Sequence, residues 1–168
     1  MALSLVTYPD WRLRVPCAAV QAVTEDIQAL AQAMQAVMAA HSGIGLAAPQ
    51  VGHPLRLVVM ARLDGAPEAA QVLINPEILE TSDTRVAAEE GCLSLPGGRA
   101  TVSRPDAVRA RWTDLAGAVH TADFTGLGAR CLQHEHDHLV GRLILDHLAQ
   151  DDRQAAIRAQ RKAAAQAH

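Results

Sequence analysis

Ile27, Leu30, Met34, Val37, Met38 and His41 recur at steps of three and four, the spacing of one helix face. Thr24 stands where an N-cap belongs and Ser42-Gly43 breaks the pattern, so a helix is predicted over 25–41. Leu55 to Ala61 is β-rich and mostly apolar, as a buried strand would be. Val72-Leu73-Ile74 and Ile78-Leu79 flank Asn75-Pro76 and predict two further short strands. Residues 107–113 and 118–124 are joined by Asp114-Leu115-Ala116-Gly117, a good hairpin signal. A second helix is predicted from about Thr125 to Gly141, a natural C-terminal breaker. Leu127, Cys131, His134 and His138 share one face of it, at steps of four, three and four. Strands followed by helices, without βαβ alternation, predict an α+β fold. Its short antiparallel sheets would pack around the helix that carries the two histidines.

Residues 1–150 read as a single catalytic domain, and 151–168 as a helical tail rich in Ala, Arg and Gln. The tail runs from Asp151-Asp152 to Arg158, Arg161 and Lys162, a charge order that suits the helix dipole. A length of 168 residues allows one domain with a real core. Aromatic residues make up only 2%, so the core must be aliphatic and base stacking is not expected. With a net charge of -3, no global attraction to nucleic acid or to acidic membranes is expected. The first residues lack a charged and then apolar leader, and no apolar run approaches bilayer length. Three cysteines are too few and too odd for a disulfide framework, so a cytoplasmic location is expected.

The chemistry concentrates in Gln133-His134-Glu135-His136-Asp137-His138. His-Glu-x-x-His on a helix places two imidazoles about 40° apart around the axis, so both can reach one cation, with Glu135 beside it to handle a proton. Cys92, in Glu90-Gly91-Cys92-Leu93-Ser94, supplies a plausible third ligand. Two imidazoles and one thiolate leave a tetrahedral ion with an open position, the mark of a catalytic site. Water there is acidified, and Glu135 is the candidate general base and later acid. Attack on a carbonyl creates an oxyanion, for which Gln50 offers a side-chain amide and Leu93 a backbone N–H. Gly43, Gly45 and Gly91 allow close backbone approach where a substrate must pass. His136 falls about 200° from His134 and should not bind the same ion. Asp137 reads as a salt-bridging residue; His41, His53, His120 and His147 read as structural or exposed.

The segments Gly43-Ile44-Gly45-Leu46-Ala47-Ala48-Pro49-Gln50, Glu90-Gly91-Cys92-Leu93-Ser94 and His134-Glu135-His136-Asp137-His138 resemble, in order and spacing, the three signature motifs of peptide deformylases. The likeness extends to Tyr8-Pro9-Asp10 and Leu73-Ile74-Asn75-Pro76 and covers the chain to about residue 150. It implies removal of the N-formyl group from the initiator methionine of nascent polypeptides by metal-activated water, releasing formate. It implies one divalent ion on Cys92, His134 and His138, Fe²⁺ in the cell, with Zn²⁺ or Ni²⁺ as replacements. Glu135 would be the acid/base, and Gln50 with the Leu93 N–H would hold the oxyanion. The backbone near Ile44, Gly45, Glu90 and Gly91 would pair with an N-formylmethionyl peptide as an added strand. Leu127, Cys131 and His134 would line the methionine pocket. Ala88 is smaller than the branched residue often found there, and Arg99 takes the place of an arginine near the substrate. His136 and Gly97 stand where relatives often have an apolar residue and a glutamate. The resemblance also raises ribosome docking by the basic tail, beside the simpler reading of a solvated helix.

Three other readings stay open from the residues. One is a divergent hydrolase of the same site with another N-acyl substrate. Another is a catalytically weak relative that binds formyl-peptides or ribosomes. A third is a zinc peptidase whose third ligand lies beyond the helix, with Asp146 and His147 as loose candidates.

Overall fold

The fold, taken from a computed structural model, is described for residues 1–63 and 70–167. Helix α1 (Glu25–Ala40) begins as its sequence predicts: the Thr24 hydroxyl accepts the Ile27 N–H at 3.3 Å, and Glu25 and Asp26 occupy the first turn. Leu30, Ala31, Met34 and Met38 form its buried face. It stops where Ser42 turns into the left-handed region at φ 54°.

Strands β1 (Gly45–Ala47), β2 (Leu57–Met60), β3 (Gln71–Thr81), β6 (Ala107–Thr113) and β7 (Val119–Thr125) form an antiparallel sheet in the order β1-β2-β3-β6-β7. All four residues of β2 are buried, because β2 lies between two strands and is packed by α1 and by helix α2 (Gly126–Leu139). The predicted pair of short strands around Asn75-Pro76 is one continuous β3. Proline cannot donate to a ladder, and the pairing with β6 shifts register between Ile74 and Glu77 to accommodate it. Asn75, at φ 51°, exchanges two hydrogen bonds with the Val20 backbone, at 2.8 and 2.9 Å, and so pins the bulge.

Two further elements escape the apolar pattern. Gly45–Ala47 is the edge strand β1, paired with Val58–Met60. Strands β4 (Arg85–Gly91) and β5 (Arg99–Pro105) form a separate hairpin, in register from Arg85 with Pro105 to Gly91 with Arg99. β4 buries only Glu90, so no hydrophobic alternation announces it.

Helix α2 packs on β1, β2, β5, β6 and β7 and buries eight of its residues, the motif histidines among them. At Gly141, φ 75°, a Cβ would lie 2.4 Å from the Arg14 carbonyl oxygen, so glycine is required by both conformation and space. Helix α3 (Gln150–Gln166) carries the tail and lies against the body. Ala156 and Gln160 are buried, and the Gln160 amide donates to the Tyr8 carbonyl at 3.0 Å. Arg158, Arg161 and Lys162 stay exposed. Among the described residues no helix is long and apolar enough to cross a membrane.

Candidate metal centre and its cavity

Three segments converge on one cavity of about 410 Å³. β1 and the turn after it bring Gly45 and Gln50; the end of β4 brings Gly91, Cys92 and Leu93; α2 brings His134 and Glu135. The donor atoms of Cys92, His134 and His138 lie within 4.8 Å of one another, and Cys92 Sγ is 3.4 Å from His138 Nε2. Donors on one tetrahedral ion stand roughly 3.5 Å apart for bonds of ~2.0–2.3 Å, so the cluster fits a single cation with little movement.

The tautomers suit that cation. His134 Nδ1 is engaged by Glu90 Oε1 at 2.9 Å, which leaves Nε2 for the site. Burial, joined by the neighbouring His134 and Arg104 charges, holds the His138 pKa far below its ordinary value, so the ring is neutral and able to ligate. His134 is pulled the opposite way. Burial disfavours its cation, but its hydrogen bonds to Cys92 and Glu90 outweigh that and raise its pKa. The same negative neighbours that favour a proton there favour a metal ion.

Glu90 is the hub behind His134. It is buried and accepts from Arg104 Nε and Nη2 at 2.7 and 3.0 Å and from Arg130 Nη1 at 2.6 Å. Burial alone would raise its pKa, yet hydrogen bonds from His134 and Arg104 prevail and hold it well below the usual carboxylate range. Arg104 also donates to Asp137 Oδ2 at 3.0 Å, and His147 Nε2 sits 2.8 Å from the same oxygen. Asp137 is thus the salt-bridging residue its position suggested. His147 has this partner, and it belongs to the support of the site rather than to its ligands. Arg104 and Arg130 had no motif to mark them, and only the fold brings them to Glu90.

Glu135 is buried beside the donor cluster. Burial is the main cause that lifts its pKa to about 7, and Glu90 adds to it. Its Oε2 is buried with no hydrogen-bond partner among the described residues. β1 passes close above: a Cβ on Gly45 would lie 2.7 Å from Glu135 Oε1. Gln50 is oriented by its other end. Its Oε1 accepts the Ala47 N–H at 2.9 Å, so Nε2 must face the site, donating to Cys92 Sγ at 3.5 Å and Ser94 Oγ at 3.1 Å. Ser94 holds the amide in place, a role its sequence position did not signal. No loop or turn hydrogen bond of the described backbone uses the Leu93 N–H.

The remaining expected residues fall as follows. Gly43, Ile44, Glu90, Gly91, Arg99, Leu127 and Cys131 all line the cavity. Arg99 stands at its exposed rim, paired with Glu89 at 2.7 Å. Ala88 does not line it; it sits half-buried opposite Val102 in the hairpin. His136 points away from the cluster, with its Nε2 3.4 Å from Arg56 Nη2.

An α+β fold with a two-imidazole, one-thiolate cluster and a buried carboxylate defines the class of metal-dependent hydrolases. The family model described as polypeptide deformylase matches residues 2–154. A peptide deformylase from Afipia carboxidovorans is 45% identical over 162 residues, covering 95% of this chain and 94% of that protein. The solved peptide deformylase from Legionella pneumophila superposes with a TM-score of 0.91 at 38% identity, covering 96% of this chain and 95% of that one. A class I type b peptide deformylase from Acinetobacter baumannii, solved with Met-Ala-Ser bound, superposes at 0.82 with 35% identity, covering 88% and 99%. The chain belongs to the peptide deformylase family.

Proposed function

We propose that this chain removes the N-formyl group from the N-terminal methionine of nascent polypeptides, releasing formate, and that Cys92, His134 and His138 hold the one divalent ion this requires. The observation that carries the reading is the cluster of those three donors within 4.8 Å of one another, at a cavity that Cys92, His134, Glu135 and Gln50 line together. A divalent cation held there supplies Lewis-acid polarisation and acidifies water. Fe²⁺ is the proposed ion, with Zn²⁺ or Ni²⁺ able to replace it, because all three accept this donor set.

Glu135 takes the proton of the attacking water and passes it to the departing amine nitrogen, so that formate and a free amino terminus result. Its raised pKa, about 7, suits both halves of that transfer. Gln50 Nε2, aimed by the Ala47 N–H, and the Leu93 N–H donate to the carbonyl oxygen as it gains charge. The backbone near Ile44 and Gly45 on one side, and near Glu90 and Gly91 on the other, borders the cavity where an extended peptide would lie as an added strand. The Met-Ala-Ser found on the Acinetobacter relative is the peptide such a reaction would leave behind.

We assign catalysis to residues 1–150 in the cytoplasm, where a ligating thiolate stays reduced. The exposed Arg158, Arg161 and Lys162 of α3 are the proposed contact to ribosomal RNA. The test is formate release from formyl-Met-Ala-Ser by protein prepared without oxygen and loaded with Fe²⁺, Ni²⁺ or Zn²⁺. Glu135→Ala should retain metal and lose turnover by ~10²–10⁴-fold. Folded, fully metallated protein that releases no formate would sink the reading.

A further inference from the structure

Helix α3 buries two of its residues, Ala156 and Gln160, and the second is an amide at 6% exposure. A buried amide is costly unless it is bonded, and packing alone would be served by an apolar side chain. Its bond leads to the site. Gln160 Nε2 donates to the Tyr8 carbonyl at 3.0 Å. The Tyr8 N–H donates to the Ser94 carbonyl at 2.8 Å, and the Val6 N–H donates to the Gln50 carbonyl at 2.7 Å. Residues 6–8 are thus a strap laid across Gln50 and Ser94, with α3 holding its far end. Ser94 Oγ in turn accepts from Gln50 Nε2 at 3.1 Å. The helix sits close: a Cβ on Gly97 would lie 2.6 Å from Ala163 Cβ, and one on Gly98 would lie 3.2 Å from the Ala156 carbonyl oxygen. Both glycines line the cavity. The Leu95 N–H donates to the Cys92 carbonyl at 2.9 Å and the Gly98 N–H to the Leu95 carbonyl at 3.0 Å, so the segment under α3 is the one that carries Ser94.

We propose that Gln160 is a positioning residue for the reaction: from α3 it anchors the strap 6–8, and so fixes the pairing of Gln50 with Ser94 that presents the Gln50 amide to the substrate carbonyl. The proposal rests on the deformylase reading above, in which that amide receives the developing charge. An oxyanion donor works because it is in place before charge develops, so a loosened support lowers turnover more than it weakens binding. The Ala47 N–H holds Gln50 Oε1, while Ser94 and the strap hold Gln50 Nε2 and its backbone carbonyl. Removing the Gln160 amide leaves the Tyr8 carbonyl without its donor, and the strap must move to regain one. Gln160 itself does not line the cavity, so its effect reaches the reaction through the strap.

The test is a double-mutant cycle on formate release from formyl-Met-Ala-Ser by the metal-loaded full chain, with Gln160→Met and Gln50→Ala made singly and together. A methionine side chain keeps the length of glutamine and removes its donor. Gln160→Met should lower kcat ~3–10-fold with KM and metal content unchanged. In the Gln50→Ala background the same change should lower kcat less than about twofold, because the amide it positions is gone. A purely structural role would lower both backgrounds alike. Gln160→Asn, which keeps an amide on a shorter arm, should fall between Gln160→Met and the unaltered protein. It takes the place of Gln160→Met in the cycle if that variant melts below the assay temperature. An unchanged kcat, an equal loss in both backgrounds, or a change in KM or metal content in place of kcat overturns the proposal. No release by the unaltered, metallated protein overturns the deformylase reading and this proposal together; release with an additive cycle overturns this one alone.

Discussion

A single methyl group placed on Gly45 tests the packing of β1 over the catalytic helix. An ideal Cβ there lies 2.7 Å from Glu135 Oε1, 2.8 Å from Cys131 Sγ and 2.9 Å from Glu135 Cγ. To move from 2.7 Å to the 3.4 Å where ordinary contact begins, the carboxylate must give way by roughly 0.7 Å. Gly45 has no left-handed φ, so the backbone itself tolerates alanine and the whole effect comes from crowding. Overpacking of this kind costs about 1–3 kcal/mol, and a domain of this size loses ~2–4 °C of Tm per kcal/mol. Gly45→Ala should therefore melt roughly 3–10 °C lower in the metal-loaded state. A catalytic group misplaced by ~1 Å loses on the order of 10²-fold, so kcat should fall by tens-fold while KM moves little. Gly43→Ala is the control, since its Cβ meets only the flexible Leu93 Cδ1 at 2.9 Å among close contacts, and it should stay near wild type. Formate release at saturating peptide, beside thermal melts of both variants, gives the answer. A Gly45→Ala protein with unchanged Tm and kcat would refute the claim that β1 sets the position of Glu135.

Glu90→Gln leaves Arg104 and Arg130 without their carboxylate, and should cost ~3–5 kcal/mol and weaken metal binding ~10–100-fold. Because the folded pKa of Glu90 is depressed below its ordinary value of 4.5, its contribution is fully present above that pH and is lost as pH falls below it. Urea titrations from pH 7 to pH 3 should show that loss in the wild type and a flatter dependence in Glu90→Gln; equal slopes would contradict it. Gln50→Ala should lower kcat by ~10²–10³-fold with metal content intact, measured by formate release and metal analysis, and a loss of metal instead would make Gln50 a structural support. Truncation after Gln150 uncovers the cluster of Leu95, Ala100, Val102, Ile144 and Leu145 that Ala156 and Ile157 cover, and should destabilise by roughly 2–3 kcal/mol in a denaturant melt. An unchanged melt would mean α3 is a free tail.

The cluster of Cys92, His134 and His138, with Glu135 and Gln50 beside it, was legible as a candidate site because each residue sits in a short local pattern whose spacing carries its own geometry. Helices α1 and α2 were legible for a related reason: the Thr24 cap, the α1 stripe and the Gly141 stop each act over a few residues of sequence. β4 was not, since Arg85-Val86-Ala87-Ala88-Glu89-Glu90-Gly91 has neither alternation nor an apolar run. Its strand exists because β5 pairs with it along its length, and that partner is invisible to a local pattern. β3 misled for the opposite reason. Asn-Pro is a strong local breaker, but the sheet absorbs it as a bulge fixed by a bond to Val20, 55 residues away.

The support shell follows the same logic and explains why it matters. The sequence pattern marks Glu90 for its backbone, two residues before Cys92, yet its side chain is what couples the two halves of the site. It reaches His134 on α2, Arg104 on β5 and Arg130 one turn back along α2. Arg104 continues to Asp137 on α2, which His147 holds from beyond the helix. Each bond spans at least ten residues of sequence, so no motif scan could assemble the chain. The carboxylate is buried and yet ionised, a costly state that persists only while all its cationic partners remain. That requirement locks the hairpin to the metal helix. It makes the position of Cys92, at the end of β4, depend on the same carboxylate that orients His134.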